Sequence, residues 1–496
     1  MKRKILSAVL LSAFGMASVV CRAQPAQQIP KRVMTLREAL DIARRQSLDA
    51  LVAKNTMRIA YWQYRDFRAD MLPSLTLDGT LPSYNRSLNS YQLDNGSYKF
   101  IPSNSISENL ALSVTQNIPY TGGSISVQTQ LQRIDQLGGQ RSTNYMSIPG
   151  IITLNQPLIT SRPLRWSMKI EPIRYQEAQQ QYCVDMERVF IQTINCYFDL
   201  LLSTVNESIA EQNLSNATEL YSIALGKKKL GLISENDLQQ LRLGKLNASA
   251  SVVTARQDRE KKMSAFRNYL VINDKTNIEL AVPEEFPDID ITLEEVAELA
   301  GRNNPITYSV ERRLLESQQL IADARASRGF RADVFASFGF SGTDTRMWPS
   351  YKNLQNTQVV SLGLRIPILD WGKGKGKVQL AKSRQDVVKV QVEQETMNFE
   401  QNMEISVRQY RDQAELTRIF READSVARLR YKIAFETFVM GQLSVLDINS
   451  AQVEQDNARR NYVTQLYASW LYYYNLRQIA LYDFVDRKNI IYDPNE

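Results

Sequence analysis

The chain has 496 residues, of which 43% are hydrophobic and 23% charged, a composition that supports a large buried core. Its formal net charge of +7 owes much to Lys2, Arg3, Lys4 and Arg22 near the N-terminus, so the remainder is close to balance and gives no electrostatic support for a nucleic-acid partner. There is no histidine, which removes the usual general base, Ser-His-Asp chemistry and the commonest transition-metal ligand; no enzymatic activity, cofactor or metal site is expected.

Residues 1–23, MKRKILSAVLLSAFGMASVVCRA, run from a basic start through an apolar stretch to small residues, which predicts a signal peptide cleaved after Ala23. Cys21 is a weak lipidation candidate because Val20 precedes it. Cys183 and Cys196 fall on one predicted helix, about 20 Å apart, and cannot pair within it. No later segment has the roughly 18 consecutive apolar residues of a transmembrane helix.

From Thr35, TLREALDIARRQSLDALVAKNTMRIAYWQYRDFRAD predicts a continuous helix opened by a Thr35–Glu38 capping box. Alternation follows in SLTLDGTL (74–81) and in LALSVTQNIP (110–119), where Leu110, Leu112, Val114 and Ile118 share one face and Ser113, Thr115 and Asn117 the other. The pattern suits a barrel strand between lipid and water, and equally a half-buried soluble sheet. IPYTGGSISVQTQL (118–131) adds a hairpin, either an elaboration on the outer side or an extra strand pair. A long helix then carries Ile191, Ile194, Phe198, Leu201 and Val205 on a heptad seam, and it breaks at KKLGLISEND (228–237).

The same plan recurs after the Pro-rich AVPEEFPDID (281–290). A helix starts at Thr292 with Glu295 three residues on, interrupted only at Gly301 and Pro305. Alternation returns in DVFASFGF (333–340) and VVSLGLRIPI (359–368), where Val360, Leu362, Leu364 and Ile366 oppose Ser361, Gly363 and Arg365. A helix to about Met440 carries Leu416, Ile419, Ala423, Val426, Ile433 and Met440 as its seam, then breaks at FVMGQLSVLD (438–447). The two breaks align without gaps: Gly231 with Gly441, Ser234 with Ser444, Asp237 with Asp447. Gly permits reversal, Ser caps the next helix, and Asp places negative charge in its first turn. The predicted organisation is a signal peptide (1–23), a first repeat (24–280), a linker (281–291), a second repeat (292–484) and a tail (485–496).

At the strand-to-helix crossing, DWGKGKGK (370–377) fits neither phosphate-binding glycine pattern and predicts a flexible bend. Trp371 with Lys373, Lys375 and Lys377 there, and Trp166 with Arg162 and Arg165 at the first-half crossing, suit a membrane interface, aromatic at headgroup depth and basic toward phosphates. Trp348, Tyr351, Tyr84 and Tyr91 are expected in polar loops facing outside. Two strands per half cannot close a barrel, so several copies must share one.

In the order of these features, including QPLIT at 156–160 and IPILDWG at 366–372, the chain resembles the TolC-like outer-membrane efflux protein family. The resemblance implies a mainly α fold with a β-barrel portion: a homotrimer with one twelve-stranded barrel in outer-membrane lipid and a coiled-coil tunnel through the periplasm. It implies a passive exit duct coupled to an inner-membrane transporter through a periplasmic adaptor. It further implies that the turns at Gly231, Leu232 and Ser234 and at Gly441, Leu443 and Ser444 meet the adaptor. Asp447 would line the tunnel entrance, with Ser450 where a second acid is usual and Leu443 where a base is often found. Asn236 and Asp237 would tie neighbouring helices to the gate. The competing expectation is a secreted or periplasmic coiled-coil structural protein.

Overall fold

The computed structural model describes residues 31–94, 96–138, 141–231, 233–272, 277–283, 289–440 and 442–493. The signal peptide with Cys21, part of the 281–291 linker, Leu232 and Gly441 lie outside the described residues.

The first half runs β1 (Lys31–Met34), α1 (Leu36–Gln46), α2 (Leu48–Ala69), β2 (Ser74–Gln92), β3 (Tyr98–Ile118), β4 (Gly123–Gln136), β5 (Ser142–Pro157), α3 (Pro163–Lys229) and α4 (Glu235–Tyr269). The second runs β6 (Asn277–Leu280), α5 (Leu293–Asn303), α6 (Pro305–Arg328), β7 (Arg331–Asp344), β8 (Gln355–Arg365), α7 (Lys373–Val439) and α8 (Val445–Ala480), then the small hairpin β9 (Tyr482–Asp483) and β10 (Lys488–Asn489). Thr35 and Thr292 cap as expected, each accepting from the backbone N–H of the Glu three residues on.

The helix expected from each threonine is two helices. Ser47 and Asn304 have extended backbones, and each ends one helix and caps the next by accepting from the N–H of Ala50 or Ile306. Pro305 forces the second break, since a proline disfavours helical backbone in the residue before it. Nothing as strong marks the first, where a buried serine supplies the cap. β1 and β6 pair in parallel, and the buried Tyr197 hydroxyl bridges the carbonyls of Met34 (3.1 Å) and Ala281 (2.6 Å), joining the starts of the two halves.

All the longer strands form one antiparallel sheet in the order β2-β3-β4-β5-β7-β8. The hairpin of 118–131 is therefore an added strand pair within the sheet, which has six strands among the described residues rather than four. Cross-strand rows alternate in character. One passes Leu75, Val114, Val127, Ile152 and Phe338; two residues away along β4 another passes Ile125, Leu154, Ala336 and Val360; between them runs Ser74, Thr115, Ser126, Thr153 and Ser337. The apolar face is uncovered by the rest of the chain, with Leu75 66% exposed, whereas Ala111 and Ser337 on the polar face are buried.

Below the sheet, α3 pairs with α4 and α7 with α8, and α3 packs on α8, giving the layer order α4-α3-α8-α7. The main core joins Phe190, Ile194, Phe198 and Leu201 of α3 to Val463, Leu466 and Leu476 of α8, with Leu36 and Ala39 of α1 and Val296 of α5 over them. The first expected seam thus faces the core, with Ile194, Phe198 and Leu201 buried and Ile191 and Val205 partly buried against them. The second does not: Val426 is 60% and Ile433 54% exposed, with Leu416, Ile419 and Met440 exposed as well. The face that α7 turns to α8 is partly polar, where Gln413 donates to the Gln465 carbonyl at 3.0 Å and Thr417 bonds the Ser469 hydroxyl at 2.9 Å. A search for apolar periodicity therefore selects the open side of this helix.

Candidate functional site

Both hairpin tips are built from the local sequence. Gly231 follows α3 with φ of 73°, a left-handed conformation that favours glycine, and its N–H donates to the Lys228 carbonyl at 3.0 Å. Ser234 then accepts from Asp237 N–H at 3.1 Å while the Asp237 carboxylate accepts from Ser234 N–H at 3.3 Å, a complete capping box. In the second tip, Ser444 accepts from Asp447 N–H at 3.2 Å and donates its hydroxyl proton to the Asp447 carboxylate at 2.5 Å. Each aspartate thus caps its own helix, and the two lie on different tips.

The tips pack side by side. Leu220, Ala224, Leu238 and Leu241 of the first meet Phe438 and Ile448 of the second, with the half-buried Leu443 packed against them. Lys227 Nζ donates to the Phe438 carbonyl at 2.9 Å, satisfying an orphan acceptor at the end of α7. Asn236, Asp447 and Ser450 are exposed and Asp237 is half-buried. Sequence reasoning missed two neighbours of Asp447. Glu454, two turns further along α8, accepts from Ser450 Oγ at 3.3 Å and forms an ion pair with Arg430 of α7. The spacing of Asp447, Ser450 and Glu454 along one helical face was available in the sequence; the pairing with another helix was not.

At the crossings, Asp370 accepts from the N–H groups of Gly372 (3.0 Å) and Gly374 (2.8 Å), and these bonds hold its carboxyl below the usual range. The expected bend is confined to Asp370–Gly372, where Trp371 and Gly372 have positive φ; the rest of the glycine-rich run is helix, with α7 beginning at Lys373, the Asp370 carboxylate accepting from its first turn and Gly374 leaving room for the Arg328 side chain. Trp371 has φ of 54° and is 89% exposed, so its indole is held outward. Lys373, Lys375 and Lys377 are exposed around it. At the first crossing Arg162 and Arg165 are exposed, while Trp166 is half-buried with Lys169 Nζ 5.6 Å above its ring. Trp348 lies in the β7–β8 connection as expected, with Tyr351 beside it in a short 3-10 turn. Tyr84 and Tyr91 lie on β2 rather than in a loop.

Among the described residues, no helix is long and apolar enough to cross a membrane and no group of three or more His, Cys, Asp or Glu could hold a metal ion.

No family model matches the chain, and no curated protein matches it. Among solved structures it is similar to the Campylobacter jejuni CmeC outer membrane channel, with a TM-score of 0.65 at 17% identity over 93% of this chain and 87% of that one. The outer membrane protein VceC of Vibrio cholerae aligns with a TM-score of 0.62 at 13% identity over 90% of this chain and 95% of that one. The open state of the Neisseria gonorrhoeae MtrE outer membrane channel aligns at 0.57 and 15% identity over 90% and 88%. At such identities the likeness is one of fold, and the chain has the TolC-like channel fold.

Proposed function

We propose that three copies of this chain form a passive exit duct, with a shared barrel in the outer membrane and a shared helical tunnel in the periplasm. An inner-membrane transporter would deliver cargo to it through a periplasmic adaptor docked on the Gly231–Ser234 and Gly441–Ser444 tips.

The observation that carries this reading is a pair of open flanks. Among the described residues the sheet ends in β2 and β8, each with one edge unpaired, and the helical layer ends in α4 and α7, whose Leu243, Leu246 and Val253 on one side and Ile419, Val426 and Ile433 on the other are exposed. β8 leads directly into α7, so these two share a flank. Open strand edges in lipid leave backbone groups without partners, at several kcal/mol each by the general cost of burying unsatisfied amides. One rotation that sets β8 and α7 of a copy against β2 and α4 of the next relieves both defects, and repeating it closes the ring. The uncovered apolar sheet face then meets lipid, and Trp371, Lys373, Lys375, Lys377, Trp166, Arg162 and Arg165 meet the inner headgroups. A soluble coiled-coil protein would leave that face in water.

In this assembly three copies of Asp447 surround the tunnel entrance, with Ser450 behind them, while Asn236 and Asp237 brace the adjoining tip. The test is the full mature chain extracted from outer membranes, which should migrate as a detergent-stable trimer. A monodisperse monomer that stays soluble without detergent would overturn the reading.

A further inference from the structure

We infer that the shared barrel has eighteen strands, six from each copy, and that it forms an outer port lined mainly by uncharged polar groups and too wide to select cargo itself. This rests on the threefold assembly proposed above and departs from the twelve strands that the family resemblance implies.

The added pair cannot be set aside from the wall. β3 and β4 are hydrogen-bonded from Ser105↔Gln136 to Ile118↔Gly123, and β4 and β5 from Ser124↔Asn155 to Gln136↔Ser142. β5 in turn pairs with β7, which belongs to the second half. Removing the hairpin from the barrel would break a ladder that is continuous from β2 to β8. The pair also spans the full depth of the band, since the β3–β4 turn at Gly122 abuts Arg162 at the start of α3.

The added strands carry the same lipid-type face as their neighbours. Ile125, Val127 and Leu131 of β4 stand on the side of Leu110, Leu112 and Val114 of β3. The band ends toward the outside where Glu108, Arg133 and Asp135 form ion pairs, at 3.6 Å and 2.8 Å from Arg133. The opposite face offers hydroxyls and amides through the same depth, including Ser113, Ser126, Gln128, Gln130, Thr153 and Asn155, with Asp78 and Asp333 as acids and Arg331 and Arg365 as bases at its helical end.

Strand number sets width. With strands 4.8 Å apart and tilted by about 40°, eighteen strands give a barrel about 36 Å across between strand axes, against about 24 Å for twelve. Inward side chains narrow the larger barrel to a lumen of about 20–25 Å, wide enough for a bulky hydrated solute. The constriction that selects cargo would then lie in the helical tunnel and not in the membrane.

The experiment uses the full assembly in nanodiscs, with copy number read by native mass spectrometry and barrel width by cryo-electron microscopy. In intact cells, Ser126→Cys and Gln128→Cys should react with a charged, water-soluble maleimide about tenfold faster than Ile125→Cys and Val127→Cys, because successive side chains face water and lipid in turn. Three copies, a barrel near 36 Å and this alternation support the inference. Three copies with a barrel near 24 Å, or no alternation along β4, overturn it while leaving the trimer intact. Any other copy number overturns the threefold reading, and this strand count with it.

Discussion

Glu187 of α3 is fully buried, with its carboxylate 3.0 Å from Arg477 Nε and accepting from the Tyr492 hydroxyl at 2.5 Å. Arg477 also reaches Asp483 at 2.8 Å, and the other Asp483 oxygen accepts from the Tyr473 hydroxyl at 2.8 Å. These bonds strap residues 481–493 across α3 and α8, so most of the expected tail is part of the body. Burial pushes the Glu187 carboxyl up to about 7, against the pull of Arg477. The native state therefore holds this proton more tightly than the unfolded chain. Its stabilising contribution is complete below the ordinary carboxylate range and is lost as pH rises through about 7. Glu187→Gln should flatten the pH dependence of strap opening over about pH 5 to 8, followed by hydrogen exchange of 481–493; an unchanged slope would assign the dependence to other groups. A second pair of substitutions tests the entrance by sign. Asp447→Asn should lower cation selectivity in planar-bilayer recordings, whereas Arg430→Gln should raise it by releasing the Glu454 charge, since acidic rings attract cations. If neither moves it, these residues stand away from the conduction path. The Ser-x-x-Asp caps were legible in the sequence because capping is local; the Arg430–Glu454 and Glu187–Arg477 pairs were not, because each joins two helices.

At the scale of elements, Gly231→Val isolates one tip. A Cβ at Gly231 meets no atom within 4 Å, so the penalty comes from φ alone and is about 1–2 kcal/mol. That strain is confined to the turn between α3 and α4, far along the helices from the sheet. The variant should form trimers at normal yield but bind the adaptor more weakly in pull-downs; undiminished binding would remove this tip from the docking surface. Helix starts at Thr35 and Thr292 were readable from their capping boxes, and the break at Asn304 from Pro305. The break at Ser47 was not, since a serine inside a helical pattern carries no comparable constraint. On α7 the apolar stripe was found, but the intrachain face contains Gln413 and Thr417, which no apolar period marks.

For the whole molecule, the duplication and the order of helices and strands were readable, and the strand count was not. β4 alternates cleanly, but β5 carries Pro149 and Gly150 where its register against β4 and β7 shifts, and this interrupts the period of two. Pairing partners far apart in sequence, such as β5 with β7, leave no local trace.

The open sheet also bears on how the protein reaches its place. A lone copy in lipid would present the free edges of β2 and β8, while a lone copy in water would present the row from Leu75 to Phe338. Neither solvent suits a single chain, so in the proposed trimer commitment to the bilayer would be a collective event whose rate climbs faster than in proportion to the supply of subunits. Scarce chains would then wait as vulnerable singles, and abundance itself would decide whether the proposed duct is built.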